Sequence, residues 1–170
     1  GVILAQFFYG LSKGIGKNHK VTTAQFGEAA NAAKQHAYNA LSKPREGTIL
    51  TVIKDWAENV YENSKKIFDF EELLKHSLEA ARRSLENTRT KIEAMRNANV
   101  VDSGAQGFVY ILEGISHFID RGRINEIEEA DEQPFESVAR TEVLPDQITY
   151  RFCTECLIEG KNIPIEDLRN

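Results

Sequence analysis

Seven positions in one stretch, Leu74, Leu78, Ala81, Leu85, Thr88, Ile92 and Met95, follow one another at steps of 4-3-4-3-4-3. A strand would need a period of two. This alternation is the seam of a helix packed nearly antiparallel, at a shallow angle, against its neighbours, as in bundles. Asp69 stands where an N-cap belongs, and Glu79, Arg82, Arg83, Glu86 and Arg89 take the opposite face as a solvated surface. Helical periodicity recurs on both sides. A first helix is expected over about Val2 to Leu11, followed by a polar loop, SKGIGKNHK. Thr22 with Gln25 makes a capping box for a second, whose face Phe26, Ala29, Ala30, Ala33, Ala37, Ala40 and Leu41 is small enough to admit a close neighbour. Pro44 and Gly47 break the chain before a third helix carrying Ile49, Val52, Ile53, Trp56 and Val60, and a fifth is expected over about 103–121. Residues 1–121 therefore read as mainly α, an antiparallel helical bundle or barrel.

Charge and composition exclude several classes of partner. The net charge is −5 and no basic stripe exists, so nucleic-acid binding has no electrostatic footing. No apolar run approaches the roughly 18–20 residues of a membrane span, and no signal peptide is visible, which points to the cytoplasm. The chain opens on GVILAQFFYGL, already apolar and helical, and closes on NIPIEDLRN, a helix start without a body. Both ends read as cuts through secondary structure, so a piece of a longer protein is expected. Past Gly122 the character changes. An acidic, proline-containing stretch over 122–136 reads as a linker. QITYRFCTECLIE then alternates like a strand, so 137–170 reads as the beginning of a small α/β domain.

The stretch VVDSGAQGFVY raises a question about chemistry. Asp102 or Ser103 can cap the fifth helix, and Ser103 with Gln106 has capping-box spacing. Yet Gly104, Gly107 and Gly114 fall inside it, each costing about 1 kcal/mol against alanine. Two explanations stay open. Bare backbone at a helix N-terminus attracts anions, and glycine lets a phosphate or base come close; Gly1 and the turn ending at Thr48 offer the same geometry. Alternatively the three glycines, within about 80° on a helical wheel, only admit a neighbouring helix, as in a non-catalytic scaffold or dimerisation module. Elsewhere the signals are weaker. Cys153-x-x-Cys156 lies on the expected strand, where positions three apart face opposite ways, and a zinc site needs about four ligands. His19, His36, His76 and His117 show no ligand spacing, and Trp56 with Phe7-Phe8 suits a core.

Three motifs in order, GVILAQFFYGL, KPREGTILTV and NANVVDSGAQGFVYILEG, resemble the ATP-binding L-subunit (DhaL) domain of the dihydroxyacetone kinase family, in particular the form at the N-terminus of bacterial fatty acid kinases. ITYRFCTECLIE followed by EDLR looks like the start of the middle domain of those enzymes. The resemblance implies a helical barrel with ATP held at one end by interhelical loops. Gly1 matches the glycine that closes the family's phosphate loop. Thr48 matches a phosphate-side threonine, and Asp102, Ser103 and Gly104 match an Asp-x-Gly turn beside ribose and base. It also implies Mg²⁺ held by an Asp-Gly-Asp-x-Gly motif that is absent here and expected upstream of residue 1. Cys153 matches a zinc ligand of the intact middle domain, whose later His-x-His partner is likewise absent. The implied reaction moves the γ-phosphate of Mg·ATP to the carboxylate of a fatty acid carried by an acyl-binding protein. Phosphorylation of dihydroxyacetone or a similar hydroxy compound is the alternative, this stretch alone is expected to be inactive, and a homodimer is left open.

Overall fold

A computed structural model describes residues 1–121 together with Gly160, Lys161 and Pro164. The chain divides into two units, Gly1–Gln133 and Pro134–Asn170, and the description below concerns the first. The expected linker over 122–136, the strand, Cys153 and Cys156 lie outside the described residues.

Six helices follow one another: α1 (Val2–Ile15), α2 (Thr23–Asn39), α3 (Ile49–Asn63), α4 (Phe70–Lys91), α5 (Glu93–Ala98) and α6 (Ser103–Arg121). The chain is a mainly-α bundle. The caps explain most of the boundaries. Thr22 Oγ1 accepts from the Gln25 N–H at 3.2 Å, and the Gln25 side chain accepts from the Thr22 N–H at 3.0 Å, closing the capping box. Asp69 Oδ1 accepts from the Glu72 N–H at 2.9 Å.

Two boundaries differ from expectation. Helix α1 runs on to Ile15, through part of the expected loop. Gly14 lies so close to Ala29 of α2 that a Cβ there would stand 2.8 Å from its Cα; this contact offsets the helix cost of the glycine. The chain leaves α1 only at Gly16, whose φ of +65° suits glycine. The second difference is a break in the seam helix. Ile92 adopts extended backbone (φ −113°, ψ 131°), so the seam ends at Thr88 and Met95 belongs to the short α5. Within α4, Leu78, Ala81, Leu85 and Thr88 are buried as the spacing requires. Leu73 is also buried, whereas Leu74 is only half-buried. The charged face stays outside, where Arg82 bridges Glu79 and Glu113 of α6.

Side-chain pairs set the directions of the helices. Gly10 meets Ala33 and His36 while Gly14 meets Ala29, so α2 is antiparallel to α1. Gly27 meets Ser64 and Lys34 pairs with Glu58 at 3.0 Å, so α3 reverses again. Ser84 donates to Asp55 at 2.6 Å and His76 meets Asn59 at 3.0 Å, reversing α4. Lys75 pairs with Asp120 and Arg82 with Glu113, reversing α6. It follows that α1, α3 and α6 point the same way. They share a core in which Phe7, Trp56 and Phe108 meet edge to face, with centroids 5.4–5.8 Å apart. Helix α3 is the most enclosed, burying Leu50, Val52, Ile53, Trp56, Ala57 and Val60. An apolar cavity of about 250 Å³ lies among α1, α2, α3, α4 and α6, lined by Phe7, Phe26, Trp56, Leu74 and Phe108 among others.

Candidate functional site: three helix N-termini at one end

The aromatic trio sets the level of the helix starts. Phe7 and Phe108 stand five residues into α1 and α6, and Trp56 stands seven into α3. At 1.5 Å per residue these offsets are about 7.5 Å and 10.5 Å, so the three N-termini open at one end within about one turn of each other. Each is preceded by a residue singled out in the sequence: Gly1, Thr48 and Asp102.

The start of α3 is built by a tight turn. Gly47 has a φ of +82°, and a Cβ on it would lie 2.6 Å from Lys91 Cβ, so both conformation and space call for glycine. Its N–H donates to Thr51 Oγ1 at 2.7 Å. The Thr51 hydroxyl donates to Glu46, whose other oxygen accepts from the Tyr38 hydroxyl at 2.7 Å. The donation by Thr51, more than any other contact, holds the Glu46 carboxyl below its ordinary range, while burial pushes the Tyr38 phenol up. At neutral pH a carboxylate therefore faces a protonated phenol. Thr48 follows as the N-cap: its hydroxyl accepts from the Leu50 N–H at 3.4 Å and donates to the Arg45 carbonyl at 2.8 Å.

At the start of α6 a single carboxylate oxygen serves two helices. Asp102 Oδ2 accepts from the Ala105 N–H at 2.8 Å, as an N-cap does, and from the Ile49 N–H of α3 at 3.0 Å. The Asp102 N–H in turn donates to Thr88 Oγ1 of α4 at 3.0 Å. Of the two candidate caps, Asp102 holds the position. Thr48, Asp102, Ser103 and Gly104 are thereby brought together, with Ser103 and Gly104 exposed. Gly1 stands at the same end as the N-cap of α1 without a side-chain cap.

The glycines of α6 divide in their roles. A Cβ on Gly104 would crowd only Asp102 Oδ2, at 3.2 Å, and would make ordinary contact with Ile49 at 3.5 Å, so its bareness leaves room for the capping carboxylate. Gly107 and Gly114 would meet nothing within 4 Å among the described residues. No helix among the described residues packs on either. The packing glycines are Gly10, Gly14 and Gly27, which sequence reasoning passed over because nothing local distinguishes a packing glycine from any other.

A donor inventory shows what this end can bind. At α3 the Ile49 N–H is taken by Asp102, the Leu50 N–H by Thr48, and the Thr51 N–H donates to the Thr48 carbonyl. The first internal bond of α1 is from the Ala5 N–H to the Gly1 carbonyl, and the amides of Val2, Ile3 and Leu4 have no backbone acceptor among the described residues. At α6 the amides of Ser103 and Gly104 have no acceptor among the described residues. These donors, with three aligned helix dipoles, suit a polyanion. They do not suit a cation. Among the described residues no group of three or more His, Cys, Asp or Glu is placed to hold a metal ion. The Asp102 carboxylate is already committed to two amides, so the Mg²⁺ of the resemblance has no fitting ligand set in this stretch. Zinc at Cys153 lies outside the described residues. Thr88 and Glu46 were missed by sequence reasoning; the signal for Thr88 was a lone polar residue in an otherwise apolar seam.

Among the described residues, no helix is long and apolar enough to cross a membrane. The model of the DAK2 domain matches residues 1–117. An uncharacterized protein of Staphylococcus epidermidis (strain ATCC 12228) is 36% identical over 171 residues, covering 95% of this chain and 30% of its own length. Uncharacterized proteins of Staphylococcus saprophyticus and Staphylococcus aureus (strain USA300) are 35% and 34% identical, covering 100% and 95% of the chain. The chain spans about a third of the length of these relatives, 30–32%. On the family match and the helical architecture together, the chain belongs to the DAK2-domain family of the dihydroxyacetone kinases.

Proposed function

We propose that this chain forms part of an ATP-dependent kinase acting in the cytoplasm, and that the end bearing Gly1, Thr48 and Asp102–Gly104 receives the nucleotide's phosphates. The observation that carries the reading is the alignment of the N-termini of α1, α3 and α6, with free amides at Ser103 and Gly104. The phosphates would take those amides and the dipole ends, where negative charge is stabilised without moving any group, which gives to the phosphates a turn that the resemblance puts beside ribose and base. Asp102 and Thr48 act by holding the two helix starts in register. The metal-binding aspartates of the resemblance would come from outside this stretch, so the stretch alone transfers nothing.

For the acceptor, the resemblance to fatty acid kinases favours a fatty acid carboxylate delivered by an acyl-binding partner protein. A carboxylate oxygen would attack the γ-phosphorus, the bond from phosphorus to the ADP oxygen would break, and an acyl phosphate and ADP would leave. Phosphorylation of dihydroxyacetone would use the same nucleotide end with a hydroxyl as nucleophile. A scaffold or dimerisation module would instead pack a further helix on Gly107 and Gly114, which meet nothing within 4 Å among the described residues.

Ser103→Pro tests the nucleotide reading. Ser103 is the first residue of α6, the position at which a helix tolerates proline. The variant removes one free amide and one hydroxyl while leaving the helix intact. Mg·ATP titration of the full-length protein should show affinity about tenfold weaker, the worth of one hydrogen bond to a charged group. Unchanged affinity would refute the reading. Acyl phosphate trapped as hydroxamate from a fatty-acid-loaded carrier would establish the acceptor, and phosphorylated dihydroxyacetone without hydroxamate would replace it.

A further inference from the structure

The turn that delivers Thr48 is held by a relay that no part of the proposed mechanism uses. Tyr38 of α2 and Thr51 of α3 both donate to the Glu46 carboxylate, and the Gly47 N–H donates to the same Thr51 hydroxyl oxygen. Lys54 Nζ stands 4.0 Å from Glu46 Oε2. Glu46 thus ties the last turn of α2 and the first turn of α3 to the turn at Gly47. One residue further on, Thr48 caps α3, and its neighbour Ile49 offers the amide that holds Asp102. An error in this turn would therefore pass through Ile49 to Asp102, and from there to the free amides of α6.

We propose that Glu46 is a positioning residue of the nucleotide end, acting through the hydroxyl of Thr51 to hold Gly47, Thr48 and Ile49 where Asp102 can join α3 to α6. The inference rests on the nucleotide reading above. A carboxylate is suited to the task because it accepts from two hydroxyl donors at once. Gln in its place would turn an N–H₂ group toward one of them, so that this hydroxyl would have to accept instead of donate.

The test is Mg·ATP titration of the full-length protein, read beside the thermal midpoint. Glu46→Gln should weaken binding about tenfold. Thr51→Val, which keeps the shape and removes the hydroxyl, should reproduce that loss, and Thr51→Ser, which keeps the hydroxyl, should bind like the parent. Glu58→Gln is the control: it removes the Lys34 partner between the same two helices without touching the turn, and should leave affinity unchanged. Normal affinity in Glu46→Gln and Thr51→Val beside weakened Ser103→Pro would overturn this inference and spare the nucleotide reading. Equal losses in Glu46→Gln and Glu58→Gln would also overturn it, since both would then report general loosening. Normal affinity in Ser103→Pro would remove the reading and this inference with it.

Discussion

Asp102 concentrates more of the arrangement than any other side chain. One of its oxygens satisfies the third amide of α6 and the first amide of α3, while its own N–H reaches Thr88 of α4. A capping residue ordinarily serves one helix and is worth about 0.5–2 kcal/mol. Here removal orphans amides on two helices at a half-buried position, so Asp102→Ala is expected to cost about 2–3 kcal/mol in chemical denaturation. A cost under about 0.5 kcal/mol would mean that water replaces the carboxylate freely and the junction is not a clamp. Asp102 was recognised in the sequence as a cap because capping is local. Its second partner, Ile49, lies fifty-three residues away and has no signature in the chain.

At the scale of the elements, periodicity and caps carried most of the information. The box at Thr22 and the cap at Asp69 stand where the sequence puts them, and the seam of α4 is buried through Thr88. What periodicity does not show is where a regular pattern stops. Ile92 continues the 4-3 rhythm, yet its backbone is extended, and Gly47 fits closely against Lys91 and Ile92 at that point. A tertiary contact thus ends a helix that local preference would continue. The same limit applies to Gly27, which looks like a defect in the middle of α2. A Cβ there would overlap the buried hydroxyl of Ser64 and lie 3.2 Å from Tyr61 Cα. Gly27→Ala should therefore destabilise the bundle by about 1–3 kcal/mol despite the better helix propensity of alanine. A rise in the thermal midpoint would show that α2 and α3 separate easily and that their close approach is not required.

At the scale of the whole molecule, Val2, Phe8 and Tyr9 of α1 and Tyr110, Ile111, Ile115 and Phe118 of α6 are exposed, and Phe8, Ile111 and Ile115 among them line the apolar cavity. The candidate site was legible as three separate stretches, because glycine and capping residues mark helix starts. That the stretches open at one end was implied only by the family resemblance, since it depends on the two reversals that separate α1 from α3 and α3 from α6. The donor inventory was hidden as well: Asp102 takes the amide of α3 that a phosphate might have used, leaving α1 and α6 as the donors. The most direct measurement is amide hydrogen exchange of the full-length protein with and without a non-hydrolysable Mg·ATP analogue. Slowed exchange confined to Val2–Leu4, Ser103 and Gly104 is the expected result. Unchanged exchange at all five amides, with binding detected, would place the nucleotide elsewhere and contradict the account.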